Sequence, residues 1–332
     1  MQTENHSIAV LGAGSWGMAL ALLLAKNNLK VHVWDRDQSL LEEMSKEGRH
    51  RYLPNVNLSP HMMLCHTLEE ALKNVQDVLL VVPSHAFAEA LQNIKPFINA
   101  KTRIVWATKG LELGTGQFLH QVAERELGQA HAYAVLSGPS FAREVALGLP
   151  TAVAIASKNL IFAKDLSQYF SSDNFSVDIT DDLIGVQLGG VLKNVLAVAV
   201  GISDGVKFGA NARAALITKG LAEMVCLGKV LGARSETLMG LAGCGDVILT
   251  CTDDQSRNRR FGLALAEGLT QEQALQRIGQ VVEAVYNVEQ LCGLAKRYQV
   301  DLPIAEQVLA IMKYGASPRE AINALFKRVP VN

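Results

Sequence analysis

The sequence predicts an α/β fold followed by an all-α domain, and three observations carry that expectation. Across the first half, short apolar runs alternate with helix-period segments, the pattern of βαβ units and a parallel sheet. A glycine-rich turn separates the first apolar run from the first helix. From about Thr180 onward, helical periods alone continue. At 332 residues the chain suits two domains, placed at 1–180 and 181–332.

Strands are expected in chain order at Ser7–Leu11, Lys30–Trp34, Met63–Cys65, Asp77–Val82, Arg103–Ala107 and Ala132–Leu136. Helices fall between them at Ser15–Asn27, Thr67–Asn74 and Ser84–Ile94. Two further β-like runs, Thr151–Ala156 and Phe175–Val177, extend the same sheet. Asp181 and Asp182 can cap a long apolar helix that runs to about Ile202. Helical periods then cover Ala210–Leu231, Gln271–Ile278, Ala284–Tyr298, Ala305–Tyr314 and Pro318–Leu325. Acidic residues recur near their starts, as the helix dipole favours.

Composition narrows the function classes. Hydrophobic residues make up 49% and charged residues 19%, which excludes wholesale disorder. A net charge of -1 speaks against a dedicated nucleic-acid binder. Cys65, Cys226, Cys244, Cys251 and Cys292 are odd in number with no C-x-x-C pair, which implies free thiols in a reducing compartment. The histidines are scattered, so no metal site is expected. The stretch Met1–Ser7 lacks the charged-then-apolar pattern of a secretory leader. The run Leu183–Ile202 comes nearest to a membrane span. It contains Gln187, Lys193 and Asn194, so a helix buried in protein is expected instead.

Gly12-Ala-Gly14-Ser-Trp-Gly17 is a G-x-G-x-x-G motif directly after the first strand and opening the first helix. Gly12 permits the tight turn, Gly14 lets backbone amides approach a pyrophosphate, and Gly17 lets the helix pack on the strand. Asp35 ends the second strand about 20 residues on, where a carboxylate can hydrogen-bond a ribose hydroxyl. Strand, motif, helix, strand and acid in that order describe a Rossmann-type dinucleotide-binding domain. Asp35 favours NAD, because a carboxylate repels a 2′-phosphate. Arg36 beside it can hold that phosphate, so NAD or NADP stays open.

In open α/β sheets, ligands bind beyond the carboxyl ends of the strands. Three such ends carry unusual residues: Pro83-Ser84-His85, Thr108-Lys109-Gly110 and Ser137-Gly138-Pro139-Ser140. Ser84 and His85 suit helix capping. Lys109 either places an ammonium beside the cofactor or is an ordinary surface lysine. Gly138 permits close backbone approach.

The sharper anomaly is Lys193-Asn194 in the middle of a nearly all-apolar helix. A buried ammonium needs a partner, a depressed pKa or a cleft to point into. Such a lysine can give or take a proton, and the alternative is snorkelling to solvent. Gly240 to Asp246 reads as a second glycine-rich turn ending in a carboxylate, suited to orient Lys193 or accept a substrate hydroxyl. The segment Asp253 to Arg260 is dense in donors for an anion, with Arg257 suited to bidentate phosphate binding and Asn258 to amide donation. Arg259 and Arg260 read as a solvated basic turn.

Together these residues resemble the bacterial NAD(P)-dependent sn-glycerol-3-phosphate dehydrogenase family, from Ile8 to about Phe326. The most specific pieces are Gly12 to Gly17, Val82-Pro-Ser-His85, Ala107-Thr-Lys-Gly110 and Ser137-Gly-Pro-Ser140. The others are Gly185-Val-Gln-Leu-Gly-Gly190, Phe208-Gly-Ala-Asn-Ala-Arg213, Gly243-Cys-Gly-Asp246 and Cys251 through Phe261. The resemblance implies that Ser15, Trp16 and Arg36 contact the dinucleotide, with Ala142, Val281 and Glu283 closing around it. It implies that Lys109 touches cofactor and substrate, that Gly138 and Ser140 hold substrate, and that Lys193 is the catalytic acid/base. Asp246, Ser256, Arg257 and Asn258 would bind substrate, with Arg257 also reaching the cofactor.

The implied reaction is the reversible reduction of dihydroxyacetone phosphate to sn-glycerol 3-phosphate by NAD(P)H, without a metal. The implied setting is a cytoplasmic homodimer that supplies the phospholipid backbone, with neither nucleic acid nor a membrane span involved. Two other readings share parts of the pattern. A 3-hydroxyacid dehydrogenase shares the dinucleotide domain, the helical domain and the central Lys-Asn. A non-enzymatic dinucleotide sensor leaves Lys193 and Asp246 without a task.

Overall fold

The computed structural model describes residues 6–327. Residues 1–5, within the stretch Met1–Ser7, and 328–332 lie outside the described residues. The chain forms two compact units, one of Met1–Thr108 with Leu119–Val186 and one of Lys109–Phe118 with Gln187–Asn332. The expected boundary lay at 180/181 with no insertion. The division observed follows Val186, and 109–118 belongs with the helical unit.

The first unit contains strands β1 (Ser7–Leu11), β2 (Lys30–Trp34), β3 (Arg49–His50), β4 (Leu53–Asn57), β5 (Met62–Leu64) and β6 (Asp77–Leu80). It continues with β7 (Arg103–Trp106), β8 (Tyr133–Ser137), β9 (Thr151–Ala156) and β10 (Phe175–Thr180). Eight of them make one sheet in the order β10-β9-β8-β7-β6-β1-β2-β5. All neighbours are parallel except β8 and β9, which pair antiparallel. The central strands β6 and β8 are buried at every position. Covered on both faces, they read in sequence as the apolar runs Val78–Leu80 and Tyr133–Leu136. The small hairpin β3–β4 was not foreseen, since a two-residue strand and one containing Pro54 carry no usable alternation.

Helix α1 (Ser15–Lys26) is buried from Gly17 to Ala25, all the way round. Helix α2 (Gln38–Glu47) is capped by Asp37, and α3 (Leu68–Leu72) by Thr67, each accepting from a backbone N–H of the first turn. The segment Ser84–Ile94 is a 3₁₀ turn over Ser84–Ala86 followed by α4 (Phe87–Ile94). Its cap positions are Pro83 and Ala86, so neither Ser84 nor His85 takes the capping place expected of it. Helices α5 (Leu119–Leu127), α6 (Ala142–Leu147) and α7 (Leu160–Phe170) complete the unit and are not among the helices expected above.

Helix α8 (Leu183–Gly205) begins with Gly185 N–H donating to Asp182 at 2.8 Å. Its length and composition would let it cross a membrane, but 89% of its most apolar stretch is buried inside the protein. The second unit continues through α9 (Ala210–Leu231), α10 (Ser235–Met239), a single π turn at Leu241–Gly245 and α11 (Asp246–Thr252). It ends with α12 (Arg257–Ala266), α13 (Gln271–Ile278), α14 (Glu283–Arg297), α15 (Pro303–Tyr314) and α16 (Pro318–Lys327). A Cβ on Gly189 would lie 2.2 Å from the Ala242 carbonyl oxygen. Only glycine lets α8 approach the π turn this closely, and Lys193 stands one helical turn further along.

Candidate active site

The glycine turn belongs to the first unit. Gly12 has a φ of +108°, and a Cβ there would meet the Val81 carbonyl oxygen at 2.6 Å. A Cβ on Gly17 would fall 1.9 Å from the Gly12 oxygen, so α1 rests on the turn itself. A Cβ on the exposed Gly14 would meet nothing within 4 Å. Helix α1 has no side-chain cap and no acidic residue in its first turn, where Ser15 and Trp16 lie half-buried. Its amides and the positive end of its dipole therefore face an open space that suits a pyrophosphate, and the turn fits NAD or NADP.

Asp35 is also tied to the protein itself. Its Oδ2 accepts from Ala13 N–H at 2.6 Å, and its Oδ1 accepts from Asp37 N–H at 2.9 Å. The carboxylate fastens the end of β2 to the glycine turn. Arg36 beside it is exposed. Elsewhere in this unit, Gly138 follows β8 with a φ of +156°, and a Cβ there would be 2.8 Å from the Val153 Cα. Ser140 Oγ donates to the Gly138 carbonyl at 3.0 Å, and Ala142 opens α6.

The second unit brings Lys109, Lys193 and Asp246 together. Lys193 Nζ donates to Asp246 Oδ1 at 2.8 Å and to Thr250 Oγ1 at 3.1 Å. Lys109 Nζ donates to the other oxygen, Asp246 Oδ2, at 2.6 Å. The side chains of Lys109, Lys193 and Asp246 are 14%, 12% and 1% exposed. Lys193 is therefore paired rather than snorkelling, and Lys109 is not an ordinary surface lysine.

Burial pushes the Lys109 ammonium down to about 8, opposed by the Asp246 charge and assisted by Lys193. For Asp246, burial acts upward but the two ammoniums outweigh it, holding the carboxyl below its usual range. Two cations on one carboxylate leave a buried excess of positive charge.

Asp246 is the first residue of α11, after the π turn. The glycine-rich stretch before it is thus helical and not the turn expected. A Cβ on Gly243 would lie 1.9 Å from the Leu238 carbonyl oxygen, so the glycine serves close packing.

The donor-rich segment is likewise a helix start. Ser256 is the N-cap of α12, 4% exposed, its Oγ accepting from Arg259 N–H at 3.2 Å. Arg257 opens the helix, half-buried. Asn258 Nδ2 donates to Asn194 Oδ1 at 2.9 Å, and its Oδ1 accepts from Ala284 N–H at 3.2 Å. Arg259 is buried, not solvated: it pairs with Asp204, which Arg213 also holds, and with Asp254 at 2.9 Å. Arg260 is also half-buried.

Val281 precedes α14, and Glu283 opens it, its Oε2 accepting from Asn287 Nδ2 at 3.2 Å. Among the described residues, no three His, Cys, Asp or Glu side chains gather as a metal site.

Sequence inspection passed over Thr250 and Asn287. Thr250 lies four residues after Asp246, on the same face of α11, a spacing that could have marked it. Asn287 gives no such signal, because its partner Leu111 is 176 residues away.

The family model for the N-terminus of NAD-dependent glycerol-3-phosphate dehydrogenase matches residues 7–163, and that for its C-terminus matches residues 182–323. Glycerol-3-phosphate dehydrogenase (NAD(P)+) of Coxiella burnetii (strain RSA 493 / Nine Mile phase I) is 50% identical over 331 residues, 99% of each chain. Its counterpart from Haemophilus ducreyi is 48% identical over 327 residues, 98% of this chain and 97% of the relative. The crystal structure of glycerol-3-phosphate dehydrogenase from Coxiella burnetii superposes with a TM-score of 0.95 at 51% identity, covering 97% of this chain and 99% of that one. A dinucleotide turn in one unit, a paired lysine centre in the other, and matches across both place the assignment beyond fold alone. The chain belongs to the NAD-dependent glycerol-3-phosphate dehydrogenase family.

Proposed function

We propose that the chain catalyses reversible hydride transfer between NAD(P)H and dihydroxyacetone phosphate, with sn-glycerol 3-phosphate as the product. The observation that carries this reading is Asp246 held between Lys109 and Lys193. The bound dinucleotide supplies a hydride to the carbonyl carbon of the substrate. Negative charge then grows on the carbonyl oxygen, and a buried excess of positive charge is what lowers the energy of that state. Lys193 donates a proton to the oxygen and takes it back in the reverse direction. Asp246 keeps its charge throughout and fixes where the Lys193 N–H bonds point. Lys109 adds the second cation and meets both cofactor and substrate.

The remaining roles are part of the same proposal. Gly12, Gly14, Gly17, Ser15, Trp16 and Arg36 hold the dinucleotide, and Ala142, Val281 and Glu283 close around it. Gly138, Ser140 and Arg257 bind substrate, with Arg257 also reaching the cofactor and serving as the phosphate ligand at the start of α12. Ser256 and Asn258 also bind substrate, through the Ser256 hydroxyl proton and an Asn258 Nδ2 hydrogen, while their other side-chain contacts fix the first turn of α12. The free thiols among the described residues are in keeping with a cytoplasmic enzyme, and the family resemblance supports a homodimer that feeds glycerophospholipid synthesis.

The test is loss of the ultraviolet absorbance of NADH or NADPH with dihydroxyacetone phosphate or dihydroxyacetone. Turnover with the phosphorylated ketone, and little without the phosphate, is expected. No turnover with either dinucleotide would defeat the reading.

A further inference from the structure

Three buried asparagines link the two lysines by a second route. Asn194, Asn258 and Asn287 are 3%, 8% and 0% exposed. Asn194 follows Lys193 on α8, and its Nδ2 donates to the Gly190 carbonyl at 3.1 Å. Its Oδ1 receives Asn258 Nδ2, and Asn258 Oδ1 receives the backbone N–H of Ala284 at the start of α14. One turn along α14, Asn287 Nδ2 donates to the Glu283 carbonyl at 2.8 Å and to Glu283 Oε2 at 3.2 Å. Asn287 Oδ1 accepts from Leu111 N–H at 2.7 Å. Leu111 lies two residues past Lys109, whose ammonium shares Asp246 with Lys193. Hydrogen bonds and the short chain stretches between them therefore close a loop that passes through both lysine-bearing segments.

Asn287 and Arg297, both on α14, hold the segment 109–118: Arg297 Nη2 donates to the Thr115 carbonyl at 3.0 Å, and Asn287 takes the end beside Lys109. Inside the segment Leu111 bridges Phe118, Glu112 N–H donates to the Gln117 carbonyl at 2.9 Å, and Gly116 N–H donates to the Glu112 carbonyl at 3.0 Å. The Leu111 side chain is fully buried, so its N–H would lack water if Asn287 released it. A buried amide side chain is costly unless its donors and acceptor are used. At Asn287 all three kinds of contact are made, two to its own helix and one to this segment.

We infer that Asn287 is a positioning residue for Lys109: it holds the Leu111 backbone, and so sets where the Lys109 ammonium stands. The inference rests on the function proposed above.

Two substitutions separate its contacts. Asn287→Leu removes the acceptor at similar size, with Asn287→Ala as the alternative deletion should the leucine fail to pack. Asn287→Asp keeps an acceptor for Leu111 N–H, and its second oxygen, facing the Glu283 carbonyl and carboxylate, fits there as the protonated acid that donates in place of Nδ2. Amide hydrogen exchange of the peptide spanning 109–118 reads the anchor directly, and kcat with dihydroxyacetone phosphate reads its consequence.

The deletion should lose protection in 109–118 and lower kcat roughly 10- to 100-fold, the scale of an ångström-sized misplacement. Asn287→Asp should keep the protection and most of kcat. A purely structural asparagine would lower the melting temperature without this split. The inference is overturned if the deletion variant loses protection yet keeps kcat within about twofold, or if the aspartate variant keeps protection and loses kcat as far. Absence of turnover in the unsubstituted protein would instead count against the functional reading.

Discussion

Lys193 and Asp246 meet in a 2.8 Å charge-assisted hydrogen bond, and both side chains are largely shielded from water. Such bonds are short and directional, so the carboxylate fixes which way the ammonium presents its remaining N–H bonds. Thr250 Oγ1 takes one of them at 3.1 Å. Asp246 is itself fixed by Lys109 on its second oxygen. The Lys193 ammonium is thus held by a network of protein groups alone.

Lys193→Met keeps side-chain length and apolar packing in α8 while removing the proton and the charge. Its kcat for dihydroxyacetone phosphate should fall about 10²–10⁴-fold, the usual cost of losing a general acid. Dinucleotide affinity, followed by fluorescence titration, should hardly change because Lys193 is assigned to the substrate oxygen and not to the dinucleotide. A variant turning over near the wild-type rate would remove Lys193 from the chemistry and leave Lys109 as the acid.

Asp246→Asn should damage the fold as well as the reaction. The amide leaves two buried ammoniums facing one neutral group, and breaking a buried ion pair by removing one partner typically costs about 3–5 kcal/mol. The melting temperature should drop markedly. Adding Lys109→Met to Asp246→Asn removes one of the stranded cations and should recover part of that drop. If the double variant melts no higher than the single one, repulsion between the lysines is not the cause.

Lys109, with burial bringing its pKa down to about 8, sets an alkaline limit. Below that value it carries the second positive charge, and above it the charge is lost. The kcat/KM for dihydroxyacetone phosphate should therefore be flat near neutrality and decline through about pH 8, since this parameter reports groups of the free enzyme. Asp246, held below the usual carboxylate range by the two ammoniums, should add no acid limb within that range. Lys109→Arg replaces the titrating amine with a guanidinium that stays charged, so the decline should move to higher pH. A decline that stays in place would belong to another group.

Local patterns carried the fold because burial wrote them into composition. Strands β6 and β8 are buried at every residue, and α8 is a mostly apolar run with Lys193 and Asn194 near its centre. The candidate residues of the centre were legible one at a time. Their partnerships were not, because Lys109 and Asp246 are 137 residues apart and Arg259 and Asp204 are 55 apart. Arg259 therefore looked like a solvated turn residue until its two aspartates were placed. The glycines at 240, 243 and 245 misled for a different reason. Glycine permits turns and close packing alike, and with Gly243 against the Leu238 carbonyl the packing use prevails.

Asp35 offers the test that separates two uses of one carboxylate. A ribose partner would make Asp35→Ala weaken NADH and favour NADPH, since the substitution removes both a hydroxyl ligand and a charge that repels the 2′-phosphate. In the structure its oxygens hold Ala13 N–H at 2.6 Å and Asp37 N–H at 2.9 Å, and Ala13 stands inside the glycine turn between Gly12 and Gly14. The pyrophosphate that this turn receives is common to both dinucleotides. Hydrogen bonds to a charged group contribute about 1.5–3 kcal/mol each, so loosening the turn should raise both dissociation constants by roughly one to two orders of magnitude. Their ratio should stay nearly constant. Arg36, exposed beside Asp35, is the group suited to the 2′-phosphate, and Arg36→Ala should weaken NADPH while sparing NADH. Calorimetric titration of both variants with both dinucleotides gives the four constants required. A selective loss of NADH in Asp35→Ala would return the carboxylate to the ribose, and the hydrogen bond to Ala13 would then be incidental to cofactor choice.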